Sequence, residues 1–202
     1  MALSAKKRAS DNTKTDGMGH KIKQRRTAND VFVTPRELGK MHIEVVRQHL
    51  PGKLKGVEDS VVWYDPFRFN EHGTYFSQFP SPHKKWAEID EGRDFFHYDP
   101  GHVDVLCSNP PYSVIDKVFQ RSCELQPQVI SYLIGVNNLT SRRLEMMNNN
   151  GYRLAYVKML KVYKWFGMSF VTVFVKGNTE SAVHAADNVI DYDRKVWRES
   201  EL

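Results

Sequence analysis

Four short apolar runs lie between residues 60 and 136, and they restrict the possible folds more than any other feature of the chain. They are SVVWYDP, KKWAEID, VDVLCSN and VISYLIGV. Each contains β-branched or aromatic residues, which is typical of buried strands. Helical patterns lie before the first run and between the third and the fourth. This alternation predicts an open α/β sheet in which the four strands are parallel.

Helical periodicity in VFVTPRELGKMHIEVVRQHLPG predicts a first helix from about residue 35 to residue 49. Thr34 is placed as its N-cap, Pro35 suits its first position, and Glu37 completes a capping box. Two further helices are predicted in SVIDKVFQRSCELQP and SRRLEMMNNNG.

After the third helix the chain changes character. YRLAYVKMLKVY and SFVTVFVKG are predicted to be sequential strands, joined by the turn-like KWFGM. They would form an antiparallel hairpin at the edge of the sheet. No internal repeat or second domain is indicated, so we expect one domain over 29–177. Residues 178–202 would be a C-terminal extension with a short helix near 193–201.

The formal net charge of +5 is unevenly distributed along the chain. Residues 1–28 contain eight basic and two acidic residues, whereas the remainder contains 21 basic and 22 acidic residues. A basic, apolar-poor segment buries too little surface to order itself, so 1–28 is predicted to be a mobile tail. Attraction to nucleic acid phosphates and simple solubilisation both account for such a tail.

Neither a membrane span nor a secretory signal is indicated. No apolar stretch approaches the roughly 18 residues of a transmembrane helix, and the N-terminus lacks an apolar central region. The chain is therefore expected to be soluble and intracellular, in the cytoplasm or in a eukaryotic nucleus. Cys107 and Cys123 are expected to be reduced, buried thiols, and no metal site is predicted because no Cys/His array has zinc-binding spacing.

Acidic residues follow the first two predicted strands. Asp65 ends the first, Glu88 and Asp90 end the second, and Asp94 lies shortly after them. Ligands of open α/β sheets bind beyond the carboxyl ends of the strands, where a carboxylate can accept both hydrogen bonds of a ribose diol. Because neither GxGxxG nor GxxxxGK[ST] occurs, the pattern favours a nucleoside without phosphates. Each carboxylate alone would also suit a solvated loop or a helix cap.

The tetrapeptide Asn109-Pro110-Pro111-Tyr112 follows the third strand and forms a surface of hydrogen-bond acceptors. Its two prolines fix φ and remove two backbone donors. The side-chain carbonyl of Asn109 and the main-chain carbonyl of Pro110 could accept both hydrogens of a planar amino group, while Tyr112 offers a face on which an aromatic base can stack. These hydrogen bonds would localise the nitrogen lone pair, so that direct attack on a methyl sulfonium needs no covalent intermediate.

In their order along the chain, these motifs resemble those of the S-adenosylmethionine-dependent amino-methyltransferases, in particular the N6-adenine DNA methyltransferases of phage, viral and bacterial type. The resemblance covers roughly residues 30–176, through DVFVTP, WYDPFRFNEHGTYFSQFP and WAEIDEGRDFFHYDPGHVDVLCSNPPYS. It implies the class I methyltransferase fold, a Rossmann-like and mostly parallel seven-stranded sheet with a C-terminal antiparallel hairpin. It also implies S-adenosylmethionine as the cofactor, and DNA ahead of RNA as the nucleic acid partner.

The resemblance assigns roles to residues by their position in the motifs. Cofactor contacts would come from Thr34, Pro35, Asp65, Pro66, Phe67 and Gly73 at the methionine end, from Glu88 or Asp90 at the ribose, and from Asp94 and Phe95 at the adenine. Catalysis at the target amino group would fall to Asn109, Pro110, Pro111 and Tyr112. Trp165 or Phe166 would either stack on an extruded base or pack within the hairpin.

One motif differs from the family pattern. The family usually has Gly-x-Gly after the first strand, whereas this chain has a longer loop from Asp65 to Gly73 with a single glycine. Arg68, Phe69 and Asn70 in that loop could weaken or block cofactor binding, because glycine is what lets a backbone approach a ligand closely.

The leading hypothesis is methylation of adenine N6 in DNA. Methylation of adenine in RNA, methylation of a glutamine amide in a protein, and a non-catalytic nucleic-acid-binding partner subunit are the alternatives. A duplex-acting enzyme must extrude its base, and no additional domain for reading the flanking sequence is indicated. Recognition would then come from a partner chain, from a homo-oligomer, or from the use of a single-stranded substrate.

Overall fold

The structure is a computed structural model that describes residues 33–69, 73–162, 165, 167–177, 180, 181 and 183. All of these residues belong to one unit, Val31–Leu202. Four predictions lie outside the described residues: the basic tail at 1–28, the effect of Asn70 on cofactor binding, the role of Phe166, and the helix near 193–201.

Six strands form one sheet in the described residues. In chain order they are β1 Trp63–Asp65, β2 Lys84–Trp86, β3 Val105–Ser108, β4 Val129–Gly135, β5 Tyr152–Leu160 and β6 Ser169–Lys176. Across the sheet their order is β2-β1-β3-β4-β6-β5. The strands β1 to β4 are parallel, and β6 pairs antiparallel with both β4 and β5. The predicted mostly parallel sheet with an antiparallel hairpin at its edge is confirmed.

In the described part of the chain the sheet has six strands, whereas the family resemblance implies seven. The six observed strands are the six segments with strand-like apolar patterns in the sequence. Between β2 and β3, residues 87–104 form turns, the short 3₁₀ helix Ile89–Glu91 and an isolated bridge between Glu88 and Arg93. This segment is rich in charged residues and contains Asp-Pro-Gly, so it adds no strand, and β2 is an edge strand among the described residues.

Within the residues that the structure describes, three α-helices match the three that the periodicity predicts there. They are α1 Arg36–Gln48, α2 Ile115–Glu124 and α3 Ser141–Asn149. The capping box expected at α1 is wrong, because Pro35 occupies the N-cap position and no side chain caps this helix. The Thr34 hydroxyl bonds elsewhere, since Asn109 Nδ2 donates a hydrogen bond to Thr34 Oγ1 at 3.2 Å.

Both faces of the sheet are buried. One face packs against α1 and includes Leu133 and Val173, and the opposite face packs against α2 and α3 and includes Ile130 and Phe174. Six of the seven residues of β4 are buried, as expected for a strand that is covered on both sides. As predicted, both cysteines are buried free thiols.

The start of α1 lies close to the chain segment that follows β1. A Cβ atom on Gly39 would lie 2.5 Å from Thr74 Cγ2, so a larger residue at position 39 would force the Thr74 side chain to shift. Thr74 Oγ1 also donates a hydrogen bond to the Thr34 carbonyl at 2.8 Å. These contacts hold Thr34 beside the carboxyl edge of the sheet.

Within the described ranges, no helix combines the length and the apolar character needed to cross a membrane.

Candidate active site

Site residues predicted on three neighbouring strands lie at one edge of the sheet. Asp65 ends β1, Glu88 follows β2, and Asn109 follows β3, with β1 lying between the other two strands. A cleft of about 220 Å³ opens at this edge. Its described lining residues are Val33, Thr34, Asp65, Phe67, Arg68, Phe69, Gly73, Thr74, Tyr75 and Asn109. Five predicted residues are thus brought together here: Thr34, Asp65, Phe67, Gly73 and Asn109.

Asp65 is the buried carboxylate of the cleft, with 1% of its surface exposed. Ser108 Oγ donates a hydrogen bond to its Oδ1 at 2.7 Å, and the backbone N–H groups of Phe67 and Phe76 donate to it at 3.3 Å each. Burial raises the pKa of Asp65 to about 6, although these three hydrogen bonds oppose the rise. The carboxylate is therefore mostly ionised at neutral pH and can attract a cationic group into the cleft.

The loop after β1 contains a residue in a backbone conformation that usually belongs to glycine. Phe69 has a φ of 72°, in the left-handed region. Its backbone N–H donates a hydrogen bond to Glu88 Oε2 at 2.6 Å, which ties the loop to the end of β2. The loop therefore makes its left-handed turn although the family's second glycine is absent from its sequence.

Arg68 forms part of the cleft wall and is only 8% exposed. Its Nη2 donates hydrogen bonds to both carboxylate oxygens of Glu91 at 2.5 Å, and its Cζ lies 3.6 Å from the centroid of the Trp86 ring. Its Nε–H group has no hydrogen-bond partner among the described residues. A buried donor without a partner is unfavourable, so this group is a candidate for binding a ligand oxygen.

Asn109 begins the acceptor loop. Because its Nδ2 donates to Thr34 Oγ1, its Oδ1 lies on the opposite side of the amide group from this bond. The backbone stays extended at Pro111, with ψ of 126°, and the 3₁₀ turn Tyr112–Val114 follows. The Tyr112 hydroxyl donates a hydrogen bond to the Leu133 carbonyl at 3.4 Å.

The acidic residues predicted for the nucleoside lie outside the lining of the cleft. Glu88 accepts hydrogen bonds from the backbone N–H groups of Phe69 and Asp90. The Asp90 side chain is exposed on the 3₁₀ helix Ile89–Glu91. Asp94 accepts from the backbone N–H of Phe96 at 3.0 Å.

The other predicted residues also lie away from the cleft lining. Pro35 is exposed, whereas Pro66 and Pro110 are buried, and Pro111 and Tyr112 are half-buried. Phe95 is 3% exposed, and its ring packs against Tyr64 and Phe67 in the core, so this side chain is a core residue. Trp165 packs against the cluster on the α1 face.

Three lining residues were not predicted, namely Val33, Thr74 and Tyr75. Val33 precedes the Thr-Pro element directly, and the other two follow Gly73, so their position beside motif residues was the available signal. That Tyr75 faces Thr34 depends on the packing of α1 against this loop, which no local pattern shows. Within the described part of the chain, no group of three or more His, Cys, Asp or Glu side chains could hold a metal ion.

No family model matches the chain, and no curated protein matches it. Solved structures do share its fold. Precorrin-6y C5,15-methyltransferase from Geobacter metallireducens GS-15 superposes with a TM-score of 0.51 at 11% identity, over 75% of this chain and 94% of that one. This likeness shows that the chain has the Rossmann-like α/β fold of a methyltransferase, and at such low identity it shows the fold alone.

Two further solved structures are less similar. The Mtq2–Trm112 complex of E. cuniculi, responsible for methylation of the eRF1 translation termination factor, has a TM-score of 0.48 at 15% identity, over 74% of this chain and 100% of that one. The 1,6-didemethyltoxoflavin-N1-methyltransferase of Burkholderia thailandensis, with bound 1,6-didemethyltoxoflavin and S-adenosylhomocysteine, has a TM-score of 0.46 at 8% identity, over 69% of this chain and 80% of that one.

Proposed function

We propose that this chain transfers a methyl group from S-adenosylmethionine to the exocyclic N6 amino group of adenine in DNA. The observation that carries this proposal is the placement of Asn109 directly after β3, where it lines the cleft. Its Nδ2 donates to Thr34 Oγ1, so its Oδ1 lies on the side of the amide group that faces away from Thr34. The Asn-Pro-Pro-Tyr sequence and a fold shared with a methyltransferase support it further.

The acceptor loop would act on the adenine amino group by hydrogen bonding. Asn109 Oδ1 and the Pro110 carbonyl would each accept one amino hydrogen, which localises the nitrogen lone pair. Tyr112 would stack against the base. In the reaction the amino nitrogen would gain the methyl group as the methyl–sulfur bond breaks, the sulfur would leave as a neutral thioether, and the nitrogen would release one proton to solvent, with no covalent bond to the protein.

The cleft residues fit the amino acid end of S-adenosylmethionine. Bound cofactor supplies an electrophilic methyl group on a positively charged sulfur. Ionised Asp65 would hold the ammonium group, and the unpartnered Nε–H of Arg68 would donate to the carboxylate. An anion and a buried donor in one cleft are complementary to a zwitterion.

The nucleoside end would lie outside this cleft. Its volume of about 220 Å³ is below the ~300–1,000 Å³ typical of small-molecule sites, so it would hold only part of the cofactor. Glu88, at the end of the neighbouring strand β2, would accept hydrogen bonds from the ribose hydroxyls, and Asp94 would contact the adenine.

Recognition of the DNA would come mainly from outside the described sheet. In the described sheet and helices, Arg143 at the start of α3 could contact a phosphate, but it already donates hydrogen bonds to Asp116 Oδ1 at 2.7 Å and to the Asn138 carbonyl at 2.8 Å. We propose that the basic tail, together with a partner chain or a second copy, supplies the contacts needed to bind DNA and to expose the base.

Adenine in RNA and glutamine amides in proteins present the same planar nitrogen, so both are outcomes of one experiment. The protein is incubated with labelled S-adenosylmethionine and, in separate reactions, with DNA, RNA and a glutamine-containing protein substrate. Mass spectrometry of the released nucleosides and peptides identifies the modified atom. We expect N6-methyladenine from DNA, and label in RNA or protein alone would contradict the DNA assignment.

Calorimetric titration with S-adenosylmethionine tests whether the chain is an enzyme at all. We expect saturable binding by the chain alone or together with DNA. Failure to bind under both conditions would contradict the proposed function and favour a non-catalytic partner subunit.

A further inference from the structure

The cleft combines buried polar residues with exposed apolar residues. Thr34, Asp65 and Arg68 line it and are buried, and they carry a hydroxyl, a carboxylate and a guanidinium group. Val33 and Phe69 line the same cleft but are 62% and 47% exposed. The polar residues therefore form its floor and the two apolar residues its mouth. A ligand that removes apolar side chains from water gains free energy, so this mouth suits the less polar part of a ligand.

Phe69 occupies its place at the mouth in a strained backbone conformation. Its φ of 72° lies in the left-handed region, which glycine adopts freely and other residues rarely adopt. Neither this strain nor the exposure of an aromatic residue stabilises the folded chain. Strained conformations of this kind cluster at functional sites, where the surrounding structure holds them in place. Phe69 is therefore a candidate for contact with a ligand.

Hydrogen bonds place Phe69 between two carboxylates that are assigned to different ends of the cofactor. The backbone N–H of Phe67 donates to Asp65 Oδ1 at 3.3 Å. The backbone N–H of Phe69, two residues further along, donates to Glu88 Oε2 at 2.6 Å. The loop thus runs from Asp65, which would hold the ammonium group of the cofactor, to Glu88, which would hold its ribose.

The covalent order of S-adenosylmethionine determines which of its groups passes Phe69. A short aliphatic chain joins the amino acid group to the sulfur, and the sulfur is joined in turn to the ribose. With the amino acid group at Asp65 and the ribose at Glu88, the sulfur lies between them, at the mouth of the cleft. This sulfur carries both the positive charge of the sulfonium and the methyl group that is transferred.

We infer that Phe69 is a specificity-determining residue, whose ring contacts the sulfonium group of S-adenosylmethionine through a cation–π interaction. This inference rests on the proposed function of the cleft as the cofactor site. The face of an aromatic ring carries partial negative charge, so it attracts a sulfonium cation more than a neutral thioether. Methyl transfer converts the first into the second. Phe69 therefore favours the cofactor over its product, S-adenosylhomocysteine.

Phe69→Leu tests this role, because leucine is apolar and unbranched at Cβ, like phenylalanine, but has no aromatic ring. Calorimetry measures the Kd for S-adenosylmethionine and the Kd for S-adenosylhomocysteine in both proteins. We expect the ratio of the first Kd to the second to rise about threefold in Phe69→Leu, the size of a cation–π contact at a partly exposed site. Lost apolar contact weakens both ligands alike and cancels in this ratio. An unchanged ratio would overturn the inference.

Two further variants control for the shape of the mouth. Val33 lines the cleft without an aromatic ring, so Val33→Ala should change the two Kd values by the same factor. Phe69→Tyr keeps the ring and should keep the wild-type ratio. A ratio that rises as much in Val33→Ala as in Phe69→Leu would overturn the inference.

The methyl group of the bound cofactor supplies a second, spectroscopic test. Protons above the face of an aromatic ring resonate upfield of their usual position. With ¹³C-methyl-labelled S-adenosylmethionine, we expect the methyl signal to move upfield on binding to wild type and to Phe69→Tyr, and to move less on binding to Phe69→Leu. Should Phe69→Leu fail to fold, Phe69→Gly removes the ring and also relieves the backbone strain. An equal shift with and without the ring would overturn the inference.

These measurements separate the inference from the proposed function. If wild type binds S-adenosylmethionine but neither the Kd ratio nor the methyl signal depends on Phe69, the inference alone fails. If wild type binds neither ligand, the proposed function fails and the inference fails with it. If both measurements depend on Phe69 but no methyl group reaches DNA, the inference holds and the assigned substrate is wrong.

Discussion

At the scale of single residues, the strongest consequence concerns Asn109. We predict that Asn109→Ala lowers methyl transfer by about 10²–10³-fold, as expected when one oriented hydrogen-bond partner of a transition state is lost. Cofactor affinity should stay within about twofold, because Asn109 is assigned to the target amino group. Single-turnover rates and calorimetry measure the two quantities, with exposed Asn149→Ala as the control. Full activity in Asn109→Ala would refute the role.

Asp65 makes stability depend on pH. Burial raises its pKa from the ordinary 3.8 to about 6, so the folded state binds more protons than the unfolded state between these values. Stability is therefore lost as pH rises through this window, by ~3 kcal/mol at most. We predict that the unfolding free energy of Asp65→Asn, relative to wild type, increases between pH 3 and pH 8. Urea titrations measure it, and a pH-independent difference would contradict the prediction.

Arg68 should contribute to cofactor affinity through Nε. We predict that Arg68→Lys, which keeps the charge beside Glu91 but has no Nε–H, raises the Kd for S-adenosylmethionine about tenfold. Arg93→Lys is the matched control, because Arg93 also stacks on Trp86, at 4.0 Å, but does not line the cleft. If both variants bind S-adenosylmethionine with the wild-type Kd, the carboxylate of the cofactor does not bind at Arg68.

The individual site residues were only partly predictable from the sequence. Asp65 and Asn109 follow apolar strands, so their place at the sheet edge could be predicted from the α/β pattern. Thr34 shows which contacts could not be predicted from the sequence. A threonine before proline is typical of a helix cap, yet its hydroxyl bonds to Asn109 instead, since packing of α1 against the sheet brings the two together. Hydrogen bonds between distant segments are not encoded in local patterns.

At the scale of elements, the loop after β1 stores strain at Phe69. We predict that Phe69→Gly is more stable than Phe69→Ala by about 1 kcal/mol, because both lose the ring but glycine adopts a φ of 72° without the steric cost that a Cβ atom brings. Val57, exposed with a φ of −123°, is the control, and there alanine should be more stable than glycine. Thermal or urea unfolding measures both differences. An alanine preference at position 69 would contradict the assigned conformation.

The elements themselves were largely predictable, because buried parallel strands give continuous apolar runs and the helices alternate with them. β4 is an example, since Val129–Gly135 was visible as one apolar segment. The number of strands in the described residues was the exception. A seventh strand was implied by family resemblance, whereas the charged segment 87–104 supplies no apolar run to form one. Composition was a better guide here than analogy.

At the scale of the whole molecule, the basic segment 1–28 should contribute to nucleic acid affinity. We predict that a chain beginning at residue 29 binds DNA more weakly and with a flatter salt dependence, because each phosphate that the tail neutralises adds roughly 0.9 to the log–log slope. Fluorescence anisotropy at several salt concentrations measures this, and cofactor affinity should not change. An unchanged slope would leave solubilisation as the role of the tail.

The two faces of the sheet differ in what they allow a protein engineer to change. On the α2–α3 face, Tyr132 bonds to Ser122, which donates to the Val118 carbonyl, so this polar group is closed within the core. On the α1 face, His42 is hydrogen-bonded to Ser131 and to Tyr75, and Tyr75 lines the cleft. A programme to make this protein more robust should therefore redesign the α2–α3 core and leave the interior of α1 as it is, because a substitution at His42 chosen for packing alone would remove a hydrogen bond to the wall of the cleft.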